Sequence, residues 1–93
     1  MTRESTLPDA WRGPENLRKY YARCAARRPN DPHWAHGVEI CERWLEFQQG
    51  QDAAQSDVDQ LIRRLQAESK PGSMWSVMTD QIEAWAKQRG FRV

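Results

Sequence analysis

The residues best suited to chemistry in this chain are two histidines and two cysteines. His33 and His36 stand in an HxxH spacing with Cys24 before them and Cys41 after, a set of nitrogen and sulfur donors of the kind zinc takes. The spacing fits neither a zinc ribbon nor a zinc finger. A helix that carries His36 also turns Cys41 into its apolar side, some distance round from the imidazole. Two ligands of a tetrahedral site would then have to come from a separate helix in good register, so no metal is expected here. The simpler expectation is a pair of half-exposed histidines in the first turn of a helix beside Trp34, and two thiols acting as small apolar side chains. A Cys24–Cys41 disulfide is conceivable in geometry and disfavoured in a reducing compartment.

Other catalytic groups are equally sparse. The chain has no Gly-rich phosphate loop, no GxSxG and no paired carboxylates in an apolar surround. Arg28 and His33 have the Arg-x4-His spacing of the helical HEPN ribonucleases, but in that family both residues lie on one helix, and here Pro29 and Pro32 come between. The expectation is a protein that is not an enzyme and needs no cofactor.

Charge offers more. Net charge is +1, which removes the argument for indiscriminate nucleic-acid binding, yet the charges are unevenly spread. Residues 1–36 carry seven Arg or Lys against four acids, residues 37–69 carry three against seven, and residues 70–93 carry four against two. Lys19, Arg23 and Arg27 recur every fourth residue and predict a basic ridge; Glu39, Glu42 and Glu46 predict an acidic one. Two charged ridges on one small domain suit a protein partner, because complementary charge steers association and excludes wrong partners. These six residues are the candidate partner-binding set. The alternative is nucleic acid, held by Arg12, Arg18, Lys19, Arg23, Arg27 and Arg28 with Tyr20 and Tyr21 among them, since cations with aromatics suit phosphate contact and base stacking. A helix-turn-helix made by the last two helices is a second form of that alternative, with Ser76, Thr79, Gln81 and Lys87 on the reading helix. Asp80, Glu83 and the long SKPGS linker argue against it.

These residues need elements to position them, and the pattern predicts an all-α fold, a small four-helix bundle-like domain over 13–93 preceded by a flexible arm over 1–12. The arm has no periodicity, and Trp11 near its end is placed to fold back as an anchor. The central stretch runs from Asp31 to Gln49. On a helical wheel Trp34, Gly37, Val38, Ile40, Cys41, Trp44, Leu45 and Phe47 fill about half the circumference, with the glutamates opposite. Asp31 and Pro32 suit an N-cap and first helical residue, and Gly50 a stop. Gly37 and Cys41, one turn apart on the apolar arc, are small enough for another helix to cross there.

The helix before it should start at Pro14 and stop near Arg28, with Leu17, Tyr20, Tyr21, Cys24 and Ala25 facing inward. A third helix follows with Ser56 and Asp59 as a capping arrangement and a narrow stripe of Val58, Leu61, Ile62 and Leu65. The fourth is capped by Ser73, faces inward through Met74, Trp75, Met78, Ile82, Trp85 and Ala86, and ends at Gly90 with Phe91 folding back on Ala86.

The mean hydropathy of -0.94 is polar, but five tryptophans in 93 residues is a high count. Rings that bury about 150–250 Å² each can carry a core short of aliphatic residues, and an excess of them could also form a homodimer seam. No run approaches the roughly 20 apolar residues of a membrane span, and the N-terminus lacks a signal-peptide stretch, so a cytoplasmic, non-membrane protein is expected. The function expected is non-catalytic: binding a macromolecular partner as its regulator or inhibitor.

Overall fold

The computed structural model describes residues 11–50, 53–68 and 75–93. Among them are four helices, α1 (Gly13–Arg27), α2 (Pro32–Gln48), α3 (Gln55–Ala67) and α4 (Trp75–Gln88), and no strand, which is the expected all-α class. No described helix is long and apolar enough to cross a membrane. The chain falls into two compact units, the first ending at Leu45 and the second beginning at Glu46, so the last turn of α2 belongs to the second unit.

In the first unit α1 and α2 form an antiparallel hairpin. Arg18, early in α1, meets Glu42 late in α2, whereas Tyr20 and Tyr21, later in α1, meet Trp34 in the first turn of α2. The local signals at the turn between them act as expected. Arg28 leaves helical geometry ahead of Pro29, and its N–H still bonds back to the Cys24 carbonyl at 2.9 Å. Asp31 Oδ1 accepts the His33 backbone N–H at 3.1 Å, supplying one of the donors that a helix start leaves unpaired. Leu17 and Tyr21 are buried, and Tyr20, Cys24 and Ala25 are half-buried. On α2, Trp34, Gly37, Ile40, Cys41, Trp44 and Phe47 are buried and Val38 and Leu45 half-buried, so the apolar arc is the enclosed side. The flexible arm was expected over 1–12; its residues 1–10 lie outside the described residues. Trp11 is half-buried in a short 3₁₀ turn just ahead of α1.

In the second unit α3 buries Val58, Leu61 and Leu65, while Ile62 is left half-buried. Its start differs from expectation. The helix begins at Gln55, with Asp57, not Asp59, reaching back to the Ala54 N–H at 2.9 Å. Asp59 is drawn elsewhere, accepting from the Gln55 side chain at 2.9 Å. Helix α4 buries Trp75, Met78, Ile82, Trp85 and Ala86, the predicted face; the predicted cap Ser73 and the first inward residue, Met74, lie outside the described residues. Its end follows the predicted stop: Gly90 has φ +87°, its N–H bonds to the Lys87 carbonyl at 3.0 Å, and the Phe91 N–H bonds to the Ala86 carbonyl at 2.9 Å. Phe91 then lies against Trp85, which also stacks on Phe47 at 6.1 Å with the planes 7° apart.

A buried hydrogen bond helps to join α3 and α4. The Trp75 indole N–H donates to the Leu65 carbonyl at 2.7 Å, one of the carbonyls that the last turn of a helix leaves without an internal partner. Trp75→Phe keeps most of the apolar area but leaves that buried carbonyl bare, a loss of about 1–3 kcal/mol expected in urea unfolding. An unchanged unfolding midpoint would mean that water supplies the carbonyl just as well.

Gly37 is buried on α2. Leucine there gains about 1 kcal/mol of helix propensity and adds a large side chain at a buried position, where overpacking costs about 1–3 kcal/mol or more. We expect overpacking to win and Gly37→Leu to melt several degrees below the parent, at roughly 4–8 °C per kcal/mol for a domain this size; melting at or above the parent would refute close packing at that position.

Candidate functional site

The orientation of α1 is set by what grips its inner face. Trp34 lies 5.9 Å from the Tyr21 ring and 6.4 Å from the Tyr20 ring, and the Tyr20 and Tyr21 rings meet edge to face at 5.2 Å. Arg28 stacks its guanidinium 5.4 Å from the Trp34 ring centre, a cation–π contact at the end of the helix. With Leu17 and Tyr21 turned inward, the 100° step of the helix carries Lys19, Arg23 and Arg27 to the outside, where all three are exposed. None of the three forms an ion pair with a described residue. They stand one turn apart, about 6 Å of rise between neighbours.

The other members of the two candidate sets are placed differently. Arg18 is half-buried and turned toward Glu42, 4.0 Å away, an exposed pair worth little more than a few tenths of a kcal/mol, roughly 0–1. Arg28 is engaged by Trp34, and Arg12 is exposed at the start of α1. Tyr20 is half-buried at the border of the basic face. Its hydroxyl is held above its ordinary pKa by burial first, then by Cys24, while Arg28 and Arg23 oppose the shift. Glu39 and Glu42 are exposed on the α2 side of the first unit, and Glu46 is exposed on the turn of α2 that belongs to the second. The structure therefore gathers Lys19, Arg23, Arg27 and Tyr20 on one helix, with Glu39 and Glu42 on the other helix of the first unit.

The helix-turn-helix candidates are less well placed for reading bases. The Thr79 hydroxyl donates to the Trp75 carbonyl at 2.9 Å, and Gln81 is half-buried; Ser76 and Lys87 are exposed. The linker that would form the turn lies mostly outside the described residues.

The histidine expectation needs correcting. His33 is buried, at 8% exposure, with its ring edge-on to Trp34 at 5.0 Å. His36 is half-buried. Among the described residues no three of His, Cys, Asp or Glu converge as a metal site would require. Cys24 and Cys41 are free thiols. Trp34, Trp44, Trp75 and Trp85 are buried and Trp11 is half-buried.

One feature was invisible in the sequence. In the second unit Gln55, Asp59, Ile62, Arg63, Arg92 and Val93 line an open cavity of about 440 Å³. Gln55, Asp59 and Arg63 repeat at i, i+4 and i+8 and so share a face of α3, but nothing local marks Arg92, 37 residues further on, as their neighbour.

Beneath the basic face, burial pushes the Cys41 thiol up to about 12, with Arg18 lowering it and Glu42 raising it. Burial likewise holds Tyr21 well above the usual phenol range, with Cys41, Tyr20 and Cys24 adding. Both groups are neutral inside and ionise more readily once unfolded. Their contribution to stability is thus complete below the unfolded thiol pKa of about 8.5 and is lost as pH climbs toward 12. Melting temperature should fall across that alkaline window, and less steeply at its lower end in Cys41→Ala, which leaves only the phenols to titrate; identical slopes for parent and variant would contradict a protected Cys41.

No protein-family model, curated protein or solved structure matches this chain.

Proposed function

We propose that the protein acts without catalysis, by binding a protein partner through the basic face of α1 and thereby regulating or blocking it. The observation that carries this reading is the row of exposed cations Lys19, Arg23 and Arg27, which have no ion pair to a described residue and sit on a helix held rigidly from behind. Charges on a pre-ordered helix lose little freedom on docking, so more of their attraction survives as affinity and encounter rate. A partner helix with carboxylates every fourth residue repeats at the same rise of about 6 Å and would meet them in register.

A protein partner is favoured over a polyanion by the first unit's own charges. Glu39 and Glu42 are exposed on α2, so a long phosphate backbone extending past α1 toward that side would meet carboxylates, whereas a compact acidic patch need not. Nucleic acid remains the second reading for one reason: Tyr20 is half-buried on the same helix as the exposed Lys19 and Arg23, and an aromatic ring among cations suits base stacking beside phosphate contacts.

The test is charge reversal on the exposed face, which leaves the core alone. Arg23→Glu with Arg27→Glu should lose the partner recovered by affinity capture with the parent protein, and weaken the purified complex by about tenfold or more with strong salt dependence. Retention of the partner by the double variant would remove α1 from the interface. Binding to a single-stranded oligonucleotide that falls steeply with salt and vanishes in the same variant would transfer the conclusion to nucleic acid.

A further inference from the structure

The basic row on α1 has an acid at one end. Glu15, Lys19, Arg23 and Arg27 stand at successive fourth positions, all four are exposed, and none forms an ion pair with a described residue. Glu15 lies in the first turn, where the helix dipole favours a carboxylate, and although Lys19 is one turn away the two do not pair. The row therefore reads minus, plus, plus, plus from its N-terminal end, over about 18 Å of rise. The helix that carries it is held from behind by Leu17 and Tyr21, the latter against Trp34, so the four charges keep their order and spacing. Three cations alone would read the same from either end; Glu15 gives the row a direction.

That direction constrains what can dock. Rows of residues four apart run at about 26° to the helix axis, so two such rows lie along each other when their helices cross at about −50°. A partner row in that placement meets the four charges in sequence, and a like charge brought opposite is penalised where an opposite one is attracted. Carboxylates all the way along would be repelled at Glu15, so the complement is one basic and three acidic residues. Of the two ways to lay down that complement, one sets the partner's basic residue toward its own C-terminus and its carboxylates toward its own N-terminus, as its own dipole favours; the other reverses both. Resting on the reading of α1 as the docking face, we propose that the partner presents a helix with three carboxylates and then one cation at successive fourth residues, running against α1. Its cation meets Glu15, and its carboxylates meet Lys19, Arg23 and Arg27.

The experiment titrates the full ¹⁵N-labelled chain at low ionic strength with two alanine-rich helical peptides of identical composition and charge. One carries Glu, Glu, Glu, Lys at successive fourth positions; the other carries Glu, Glu, Lys, Glu, which sets its cation against Lys19 and a carboxylate against Glu15. The parent should bind the first peptide about threefold more tightly or better, the sum of several exposed charge pairs. A nitroxide at the C-terminus of that peptide should broaden the backbone N–H signal of Glu15 more than that of Arg27. Glu15→Lys, a change at an exposed position, should erase the preference between the peptides. Equal affinity of the parent for both, no saturable binding of the first, broadening centred on Arg27, or a preference retained in Glu15→Lys would each overturn the proposal. The reading beneath it is judged separately with Arg23→Glu and Arg27→Glu together. If the parent binds both peptides alike and this variant binds neither, α1 stands as the acid-binding face and only the charge order falls; if the variant binds both as the parent does, the face itself is refuted.

Discussion

Everything on the outer face of the first unit depends on the grip that Trp34 takes on α1. That ring is met by Tyr20, Tyr21, His33 and Arg28, so one residue in the first turn of α2 gathers most of the contacts that α1 makes through its second half. Each aromatic pair adds about 0.5–1.5 kcal/mol beyond the area it buries. For a helix with only Leu17 as a large aliphatic residue, these pairs decide its rotation. Once Tyr21 is inside, the helical repeat leaves Lys19, Arg23 and Arg27 outside, whatever their own preferences. The basic face is therefore a consequence of aromatic packing, and the cations contribute little to holding the hairpin together.

The second unit solves a different problem with the same economy of residues. A chain of this size has limited apolar surface to bury, so an unpaired polar group at a helix end is a large fraction of its stability. Two such ends are closed by a residue from elsewhere or by tight local geometry, and a third contact ties down the segment beyond α4. Trp75 serves the Leu65 carbonyl, Gly90 and Phe91 close α4 on itself, and Gln55 takes both backbone groups of Arg92. The last of these has a side effect, for the amide that holds the C-terminal segment also occupies Asp59 and leaves Arg63 without its near neighbour.

The two candidate surfaces differ in how their charge became available. On α1 the cations are exposed: Arg23 and Arg27 have no acid four residues away on the same helix, and Lys19 has Glu15 four residues before it yet makes no ion pair with a described residue. On α3 the acid is present at the matching position and is diverted. The first situation follows from the order of residues along one helix, and the second needs a residue 37 positions away.

By itself the sequence determined the helical class, the enclosed arc of α2, and the stops and starts at Asp31, Gly50 and Gly90, because each depends on residues within one turn: a carboxylate reaching an N–H, a glycine taking positive φ, an apolar repeat of 3.6. It also located the basic row on α1, since rotation follows from the apolar stripe. Only the tertiary structure decided which cations stay available. Arg18 turned to Glu42 and Arg28 to Trp34, while Arg23 and Arg27 on the same helix found nothing opposite. It decided, too, that His33 is covered, that the α3 cap falls on Asp57 and not on Ser56 with Asp59, and that Gln55 meets Arg92. The reason is the same in each case: a polar side chain has several partners within reach of its own helix, and the choice among them is made by whatever the fold brings alongside.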